Sequence, residues 1–495
     1  MAPDGDARPP GASLVETHVS VVFFVGDRAY KLKKPVCFDF VDQSTRVERE
    51  RLCHREVALN RRLAPDVYEG VADILGPDGE PCDHLVVMKR MPPDRRLSAL
   101  VAGGDAGVVD AVGAIGRQLA DFHAHAERSP EIDRQATRDA VAGLWRANFD
   151  QLRPFAGSLV DGARLDRAGR LAEAFLGGRG ELFAERIAGG CICDGHGDLL
   201  TDDIYVLDDG PRILDCLEFA DRLRFGDVVA DLAFLVMDLE RLGAASLARS
   251  LVESYGSASG AAPPVPLLHL YVAYRAQVRA MVACLRADQG GDRAAAAEQG
   301  RALLELCIEH LEAATVRLVV VGGSPGTGKS TLAAGLGGRL GATVVRSDVV
   351  RKGRAGLDPD RPASAPFGAG IYTDAATDET YAAMLVEARR ELGLGRSVVL
   401  DASFGAARHR AEARRAATEC GAALTELECV LGAEVAAARI ADRRERGDDP
   451  SDADAAVADR MRQSADRWPE RTPVSTAGPI DDVVSQAAAL VAGAT

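Results

Sequence analysis

Lys329 lies in the stretch Gly322-Gly323-Ser324-Pro325-Gly326-Thr327-Gly328-Lys329-Ser330-Thr331, which fits G-x-x-x-x-G-K-[ST] counted from Gly323. Glycines let a backbone curl round a phosphate without β-carbon clashes, and the amides of such a loop and of a following helix point at the anion. Lys329 is placed to reach the β- and γ-phosphates of a nucleotide, and Ser330 to ligate magnesium. A glycine-rich turn arising by chance would not bring the flanking elements with it. Here Val316 to Val321 reads as a buried strand and Leu332 to Leu340 as the start of a helix, which is the context the motif requires.

A second set of chemically capable residues lies upstream. His196-x-Asp198-x-x-x-x-Asp203 is followed, twelve residues after Asp203, by Asp215. In this layout Asp198 would orient a substrate hydroxyl and accept its proton, while Asp203 and Asp215 would hold magnesium against the phosphates. Lys31 would pair the phosphates and be steered by Glu56. Lysine usage draws attention to the same place. Of 59 Lys plus Arg only six are Lys (Lys31, Lys33, Lys34, Lys89, Lys329 and Lys352), and three of the six crowd into Tyr30–Lys34. Where Arg is the default cation, a retained Lys is read as a position that needs a compact ammonium.

The elements that must position these groups can be read from apolar spacing. Val19 to Val25 and Ala29 to Leu32 form two strand-like runs round the turn Gly26-Asp27, Thr45 to Leu63 is a charged amphipathic helix, and Gly70 to Leu75 and His84 to Met88 are further strands. From about Leu97 the chain turns helical, with Val108 to Arg128 the clearest case, and Arg212 to Phe219 reads as an apolar strand ending in carboxylates. From Val316 strands and helices alternate, which implies a parallel sheet with helices on both faces. Its strands are Val316–Val321, Ala342–Arg346, Ser397–Leu400 and Leu424–Leu431.

Tyr30-Lys31-Leu32, Glu56, His196-Gly197-Asp198 and Asp215 match, in type and order, the aminoglycoside-phosphotransferase-like kinases, which this part of the chain resembles. The resemblance implies a protein-kinase-like fold in which Asp198 acts on the acceptor and Asp215 ligates metal. Two departures stand out. Asp203 occupies a position where that family has Asn, which adds negative charge beside the triphosphate. No glycine-rich cover precedes Val25, so Thr17-His18-Val19-Ser20 would have to serve.

In the second half, the strand Ala342–Arg346 ends at Ser347-Asp348, followed by Arg351. An acid at the carboxyl end of a parallel strand faces the ligand crevice, so Asp348 is a candidate to orient an acceptor hydroxyl and Arg351 to hold the acceptor. Asp401 ends the apolar run Val398–Leu400 and is a candidate to support magnesium. Arg439, Arg443, Arg444 and Arg446 precede Gly447-Asp448-Asp449-Pro450, which suits a lid whose arginines, Arg443 among them, neutralise a transferred phosphoryl group. A solvated helix face interleaved with Asp442 and Glu445 accounts for the same cluster. This half resembles the P-loop small-molecule kinases of gluconate-kinase and zeta-toxin type. The pairing of the two halves is similar to a bacterial two-domain family, an aminoglycoside phosphotransferase-like domain fused to an AAA/P-loop ATPase.

Other polar residues read as structural. His123 and His125 fit helix packing, Asp238, Glu240 and Arg241 a surface, and Arg275 and Arg279, one turn apart, a solvated face, with contact to an anionic substrate as the alternative. The net charge of −15 disfavours nucleic-acid backbone as a partner. No apolar run approaches the ~20 residues of a membrane span. Met1 to Ala12 lacks the basic start and apolar core of a secretory signal. The ten cysteines contain no C-x-x-C, which supports neither a zinc site nor a disulfide framework.

The expected architecture is therefore a flexible tail (1–14), an α+β protein-kinase-like bilobal domain (15–314) and an α/β P-loop domain with a parallel sheet (315–495). The expected function is a cytoplasmic ATP- and Mg2+-dependent phosphotransferase acting on hydroxyls of small molecules, with two ATP sites. The alternative is an ATP-binding regulatory or stress-response ATPase.

Overall fold

The computed structural model describes residues 13–17, 19–38, 41–288, 292–358, 370–446 and 455–493, without the side chains of 38, 370, 443–446 and 455–456. Its contacts divide the chain into two compact units, Met1–Gly162 with Arg186–His310, and Ala163–Glu185 with Leu311–Thr495. The second unit thus takes in a segment from the middle of the sequence as well as the carboxy-terminal stretch.

The first unit opens with a five-stranded antiparallel sheet. Its strands are β1 (Ser13–Glu16), β2 (Ser20–Val25), β3 (Arg28–Lys33), β4 (Tyr68–Leu75) and β5 (Pro81–Lys89), in the order β1-β2-β3-β5-β4. Helix α1 (Arg46–Asn60) starts where the Thr45 hydroxyl accepts the Glu48 amide, an N-cap arrangement. Side chains alternate across a strand, so Ala29, Lys31 and Lys33 of β3 share one face. Ala29 is buried in the same cluster as Cys53 and Val57 of α1, which directs the two lysines toward that helix and its Glu56.

Helices then dominate. Helix α2 (Val108–His125) buries Val112, Ile115, Leu119 and Phe122 at helical spacing. Short paired strands carry the chemically interesting loops: β6 (Ile192–Asp194) pairs with β9 (Phe225–Asp227), and β7 (Ile204–Leu207) with β8 (Gly210–Ile213). The apolar run expected to continue as strand to Phe219 ends at Ile213. Asp215 has φ 62, a left-handed conformation that breaks extended pairing. Helix α3 (Val228–Arg241) is capped by Asp227 and packs against α4 (Val265–Asp288).

The second unit is a three-layer α/β structure. Strands β10 (Arg317–Gly322), β11 (Thr343–Arg346), β12 (Val398–Asp401), β13 (Ala423–Val430) and β14 (Thr472–Ser475) form a wholly parallel sheet, in the order β11-β12-β10-β13-β14. Leu318 and Val320 of β10 face Tyr381, Leu385 and Ala413, while Val319 and Val321 face Leu332, Leu336 and Val484. Burial on both faces explains the uninterrupted apolar run, and each such side chain contributes about 1.5–3 kcal/mol. Strand β14 and the helix Ile480–Ala492 were not legible as elements. β14 is short, carries Pro473 and lies at the sheet edge, where a residue without an amide donor is tolerated.

Candidate active sites

In the first unit the Lys31 ammonium lies 2.9 Å from Glu56 Oε1 and 2.6 Å from Asp215 Oδ1. Glu56 is fully buried and is shared, since Lys33 Nζ donates to its other oxygen at 2.7 Å and to Glu218 Oε1 at 2.5 Å. Burial opposes the charge on both lysines, but the surrounding carboxylates outweigh it and both stay protonated, with Lys31 raised well above the ordinary lysine value. Asp215 is held below the usual carboxylate range, first by Lys31. Its left-handed backbone is a strained conformation for a residue with a β-carbon, and strain of this kind gathers where function dictates geometry.

The loop Gly195–Thr201 is fastened by α3. Asp231 accepts the His196 amide at 2.6 Å and the Gly197 amide at 2.8 Å, and Asp238 accepts the Thr201 amide at 2.9 Å and its hydroxyl at 2.6 Å. Asp238 is 1% exposed, so the expectation of a surface position is corrected: it is a buried anchor, and Arg241 pairs with it at 2.7 Å. His123 is buried between Asp231 and Tyr255, a structural role. His196 Nε2 donates to the Leu214 carbonyl at 3.1 Å, and burial pushes its pKa down to about 4, leaving it neutral.

Asp198 sits between the two anchors. Burial pushes its carboxyl up to about 6, countered by Arg279 and Arg275 and reinforced by Asp215 and Asp238. A carboxylate poised there suits a general base near neutral pH. Asp203 is raised well above the usual range by burial and then by Asp215 and Asp198. Such a concentration of half-buried acids fits a divalent cation, which Asp203 and Asp215 would hold. Among the described residues no group of three or more His, Cys, Asp or Glu could hold a cation by itself; a site of this kind is completed by phosphate oxygens. The turn facing Lys31's strand is closed by Thr17 and Ser20, whose hydroxyls are 2.9 Å apart, with His18 outside the described residues.

In the second unit the sequence Gly322–Thr331 forms a loop between β10 and helix α5 (Lys329–Leu340). Gly323, Gly326 and Gly328 have φ of 130, 80 and 85, and a β-carbon at Gly326 would lie 2.6 Å from the Ala436 carbonyl. The Thr327 hydroxyl donates to the Ser324 carbonyl at 2.7 Å, as does Lys329 Nζ at 2.9 Å, and the Thr476 hydroxyl donates to the Thr327 carbonyl at 2.7 Å. Pro325, Ser330 and Thr331 line an adjacent cavity of about 830 Å3 together with Asp348, Arg351 and Asp401. Register explains the convergence. Val321, the residue before the loop's Gly322, pairs with Asp401, and Asp401 pairs with Arg346, two residues before Asp348.

Asp348 stands in the first turn of helix α6 (Ser347–Arg354), and burial followed by the charge of Asp401 pushes its carboxyl up. Asp401, 4% exposed, has Arg346 Nε 3.3 Å away. Arg351 donates to the Ile371 carbonyl at 2.9 Å and to Thr377 Oγ1 at 3.1 Å, and lies over the Tyr372 ring. Helix α7 (Ala433–Arg446) brings Arg439 to the loop, where it donates to the Thr476 carbonyl at 3.0 Å. The side chains of Arg443, Arg444 and Arg446 and the segment Gly447–Pro450 lie outside the described residues.

Over 486 residues the chain is 42% identical to the uncharacterized protein Rv2004c of Mycobacterium tuberculosis, covering 97% of this chain and 96% of that protein. The chain belongs to this family. The AAA domain family matches residues 318–468, the stretch that holds the phosphate loop, Asp348 and Asp401. The choline/ethanolamine kinase family protein from Mesorhizobium loti aligns at TM-score 0.40 and 14% identity, covering 62% of this chain and 94% of its own. A gluconokinase from Sinorhizobium meliloti aligns at TM-score 0.27 and 19% identity, over 36% of this chain and 92% of its own. This chain joins an α+β unit to a parallel-sheet unit that carries the phosphate loop. No helix among the described residues is long and apolar enough to cross a membrane.

Several residues of the two sites escaped sequence reading. Lys33 and Glu218 form a second ion pair behind Lys31, and Asp231 and Asp238 anchor the loop round Asp198. In the P-loop unit Thr476, Tyr372 and Thr377 join the site. The crowding of lysines at Tyr30–Lys34 was the one available signal for Lys33.

Proposed function

We propose that this protein is an ATP-dependent phosphotransferase acting on hydroxyl groups of small molecules, with one ATP-Mg2+ site in each of two catalytic domains, residues 15–314 and 315–495. The observation that carries the reading is the Lys31 ammonium gripped by Glu56 and Asp215 beside the anchored loop of Asp198. Lys31 would hold nucleotide phosphates, with Glu56 fixing its position. Asp203 and Asp215 would hold magnesium, which supplies charge neutralisation between the phosphates. The acceptor oxygen would form a bond to the γ-phosphorus as the bond to the ADP oxygen breaks, and the hydroxyl proton would pass to Asp198.

In the second unit the loop amides of Gly323–Thr331 and Lys329 would cradle the phosphates, and Ser330 and Asp401 would hold the metal. Asp348 would take the acceptor proton, with Arg443 closing over the transferred group. Such transfer works by positioning and electrostatics, which both sites are built to provide. With its acidic charge and its lack of an apolar span, a cytoplasmic protein without nucleic-acid or membrane partners fits best.

Asp203, a carboxyl held up by burial and by Asp215 and Asp198, favours a second reading, a regulatory ATPase in which the first unit senses nucleotide. Labelled phosphate transfer from ATP to sugars, amino sugars, aminoglycosides and nucleosides separates the two. A product lost in only one of Asp198→Asn and Lys329→Ala assigns acceptor and unit together. ATP hydrolysis with no labelled product on any acceptor supports the regulatory reading.

A further inference from the structure

Helix α3 presents Asp231, Phe234 and Asp238 at spacings of three and four residues, so the three share one face. Asp231 and Asp238 tie down the two ends of the loop that carries Asp198. Phe234 lies between those anchors, and the Arg275 guanidinium of α4 sits over its ring, 4.5 Å from the centre. The Arg275 Nε is buried and has no hydrogen-bond partner among the described residues. Arg279, one turn further along α4, is half-buried rather than solvated, and both arginines act on the Asp198 carboxyl. The carboxylates closest by are already committed: Asp231 and Asp238 to the loop amides, Asp215 to Lys31. Arg275 therefore stacks beside the anchored loop of Asp198 with a buried donor that no side chain or carbonyl among the described residues meets, and Arg279 follows it one turn along α4.

We propose that the acceptor of the amino-terminal site carries a phosphate or carboxylate beside the hydroxyl to be phosphorylated, and that Arg275 and Arg279 bind it. The inference rests on the reading of Asp198 as the acceptor-facing base. A guanidinium suits an oxyanion because its planar fork can make two parallel charge-assisted hydrogen bonds. Stacking on Phe234 fixes the fork beforehand, which lowers the entropy lost on binding. The same pair repels a cationic acceptor, so the site selects against amines as well as for anions. Once bound, the anion would hold its hydroxyl within reach of Asp198, and the proton of that hydroxyl would leave to Asp198 as the phosphoryl group arrives.

The test uses the full chain carrying Lys329→Ala, to silence the P-loop site, with and without Arg275→Gln, Arg279→Gln or Asp198→Asn. Labelled ATP is offered with glucose 6-phosphate, gluconate, glucose, choline or kanamycin, and the binding of glucose 6-phosphate and of gluconate to the AMPPNP-loaded protein is titrated in parallel. The expected result is label on an anionic acceptor alone, with its KM and Kd raised about 10–100-fold by each arginine substitution, and Arg275→Lys in between. The two anionic probes separate phosphate from carboxylate recognition. Absence of binding by either at millimolar concentration, or binding that Arg275→Gln and Arg279→Gln leave unchanged, overturns the proposal. Transfer to choline or kanamycin that the arginine substitutions leave unchanged overturns it too, while the kinase reading stands. Arginine-dependent binding with no transfer in any arm supports the anion site and sinks the kinase reading of this unit.

Discussion

The two units gather positive charge in different ways. In the P-loop unit it would come from the backbone: a loop with three left-handed glycines leads into a helix that starts at Lys329, a layout that offers amides to an anion. In the kinase-like unit it comes from side chains brought together over long sequence separations, Lys31 with Glu56 and Asp215, and Lys33 with Glu56 and Glu218. A backbone cradle depends on local conformation, so a single β-carbon can spoil it. A buried ion-pair network depends on every member, because removing one leaves an uncompensated charge out of water. The P-loop site should therefore be sensitive to glycine replacement and the Lys31 site to charge removal.

The largest expected effect is Asp198→Asn. With the proton acceptor gone, transfer by the first unit should fall about 10²–10⁴-fold, with ATP binding retained. Equal loss of ATP binding would mean that Asp198 holds the nucleotide rather than the acceptor. Lys329→Ala should lower turnover by the P-loop unit about 10²–10³-fold, since it removes a preorganised donor, with the circular dichroism spectrum unchanged. Full activity in an assay where Asp198→Asn has silenced the other unit would refute the assignment. If both substitutions abolished the same product, the picture of two independent sites would break.

The contrast also explains what was legible. The P-loop could be read because ten consecutive residues, Gly322 to Thr331, do its work through backbone geometry, and the parallel sheet could be read because burial on both faces leaves continuous apolar runs. Lys31, Glu56, Asp198 and Asp215 were legible only as an ordered pattern. Asp231 and Asp238 were not, since acids at helical spacing look like a solvated face until the amides they accept are known. Arg275 read first as a solvated face for the same reason, with an anionic contact as the alternative, its Phe234 partner being 41 residues away. Asp215 was placed in a strand because its neighbours are apolar, and nothing in residue type announced its positive φ.

Anchoring by Asp231 gives a test that reads stability rather than turnover. Burial pushes the Asp231 carboxyl up, but the hydrogen bond from His123, the nearby histidines and the His196 amide outweigh it and hold the group far below the usual Asp value of 3.8. A carboxyl depressed in the folded state contributes stability that is complete above its unfolded pKa and is lost as pH falls through the folded one. Asp231→Asn should destabilise the kinase-like unit by about 3–5 kcal/mol at neutral pH. The gap between wild type and variant in calorimetric Tm should narrow as the buffer is taken from pH 7 toward about pH 3. A gap that stays constant over that range would show that the anchor works through shape and not through its charge.

Asp203→Asn should have the smallest effect, and it bears most directly on the contrast between the units. Asp203 is raised by burial and by two neighbouring acids, so without a cation the acids repel one another and Asp203 holds its proton more firmly than an exposed carboxyl. Removing one carboxylate relieves that repulsion and leaves an amide oxygen able to ligate a hard cation. Its effect on magnesium demand should be a shift of a few-fold, about 1 kcal/mol or less, toward weaker dependence. A magnesium titration of nucleotide binding in the Lys329→Ala background reads it without interference from the P-loop. No shift would mean that Asp203 lies outside the cation's reach and that Asp215 carries the metal with phosphate oxygens alone. A marked loss of binding would mean that both carboxylates are needed, and that this unit offsets its side-chain charge with metal where the other relies on backbone amides.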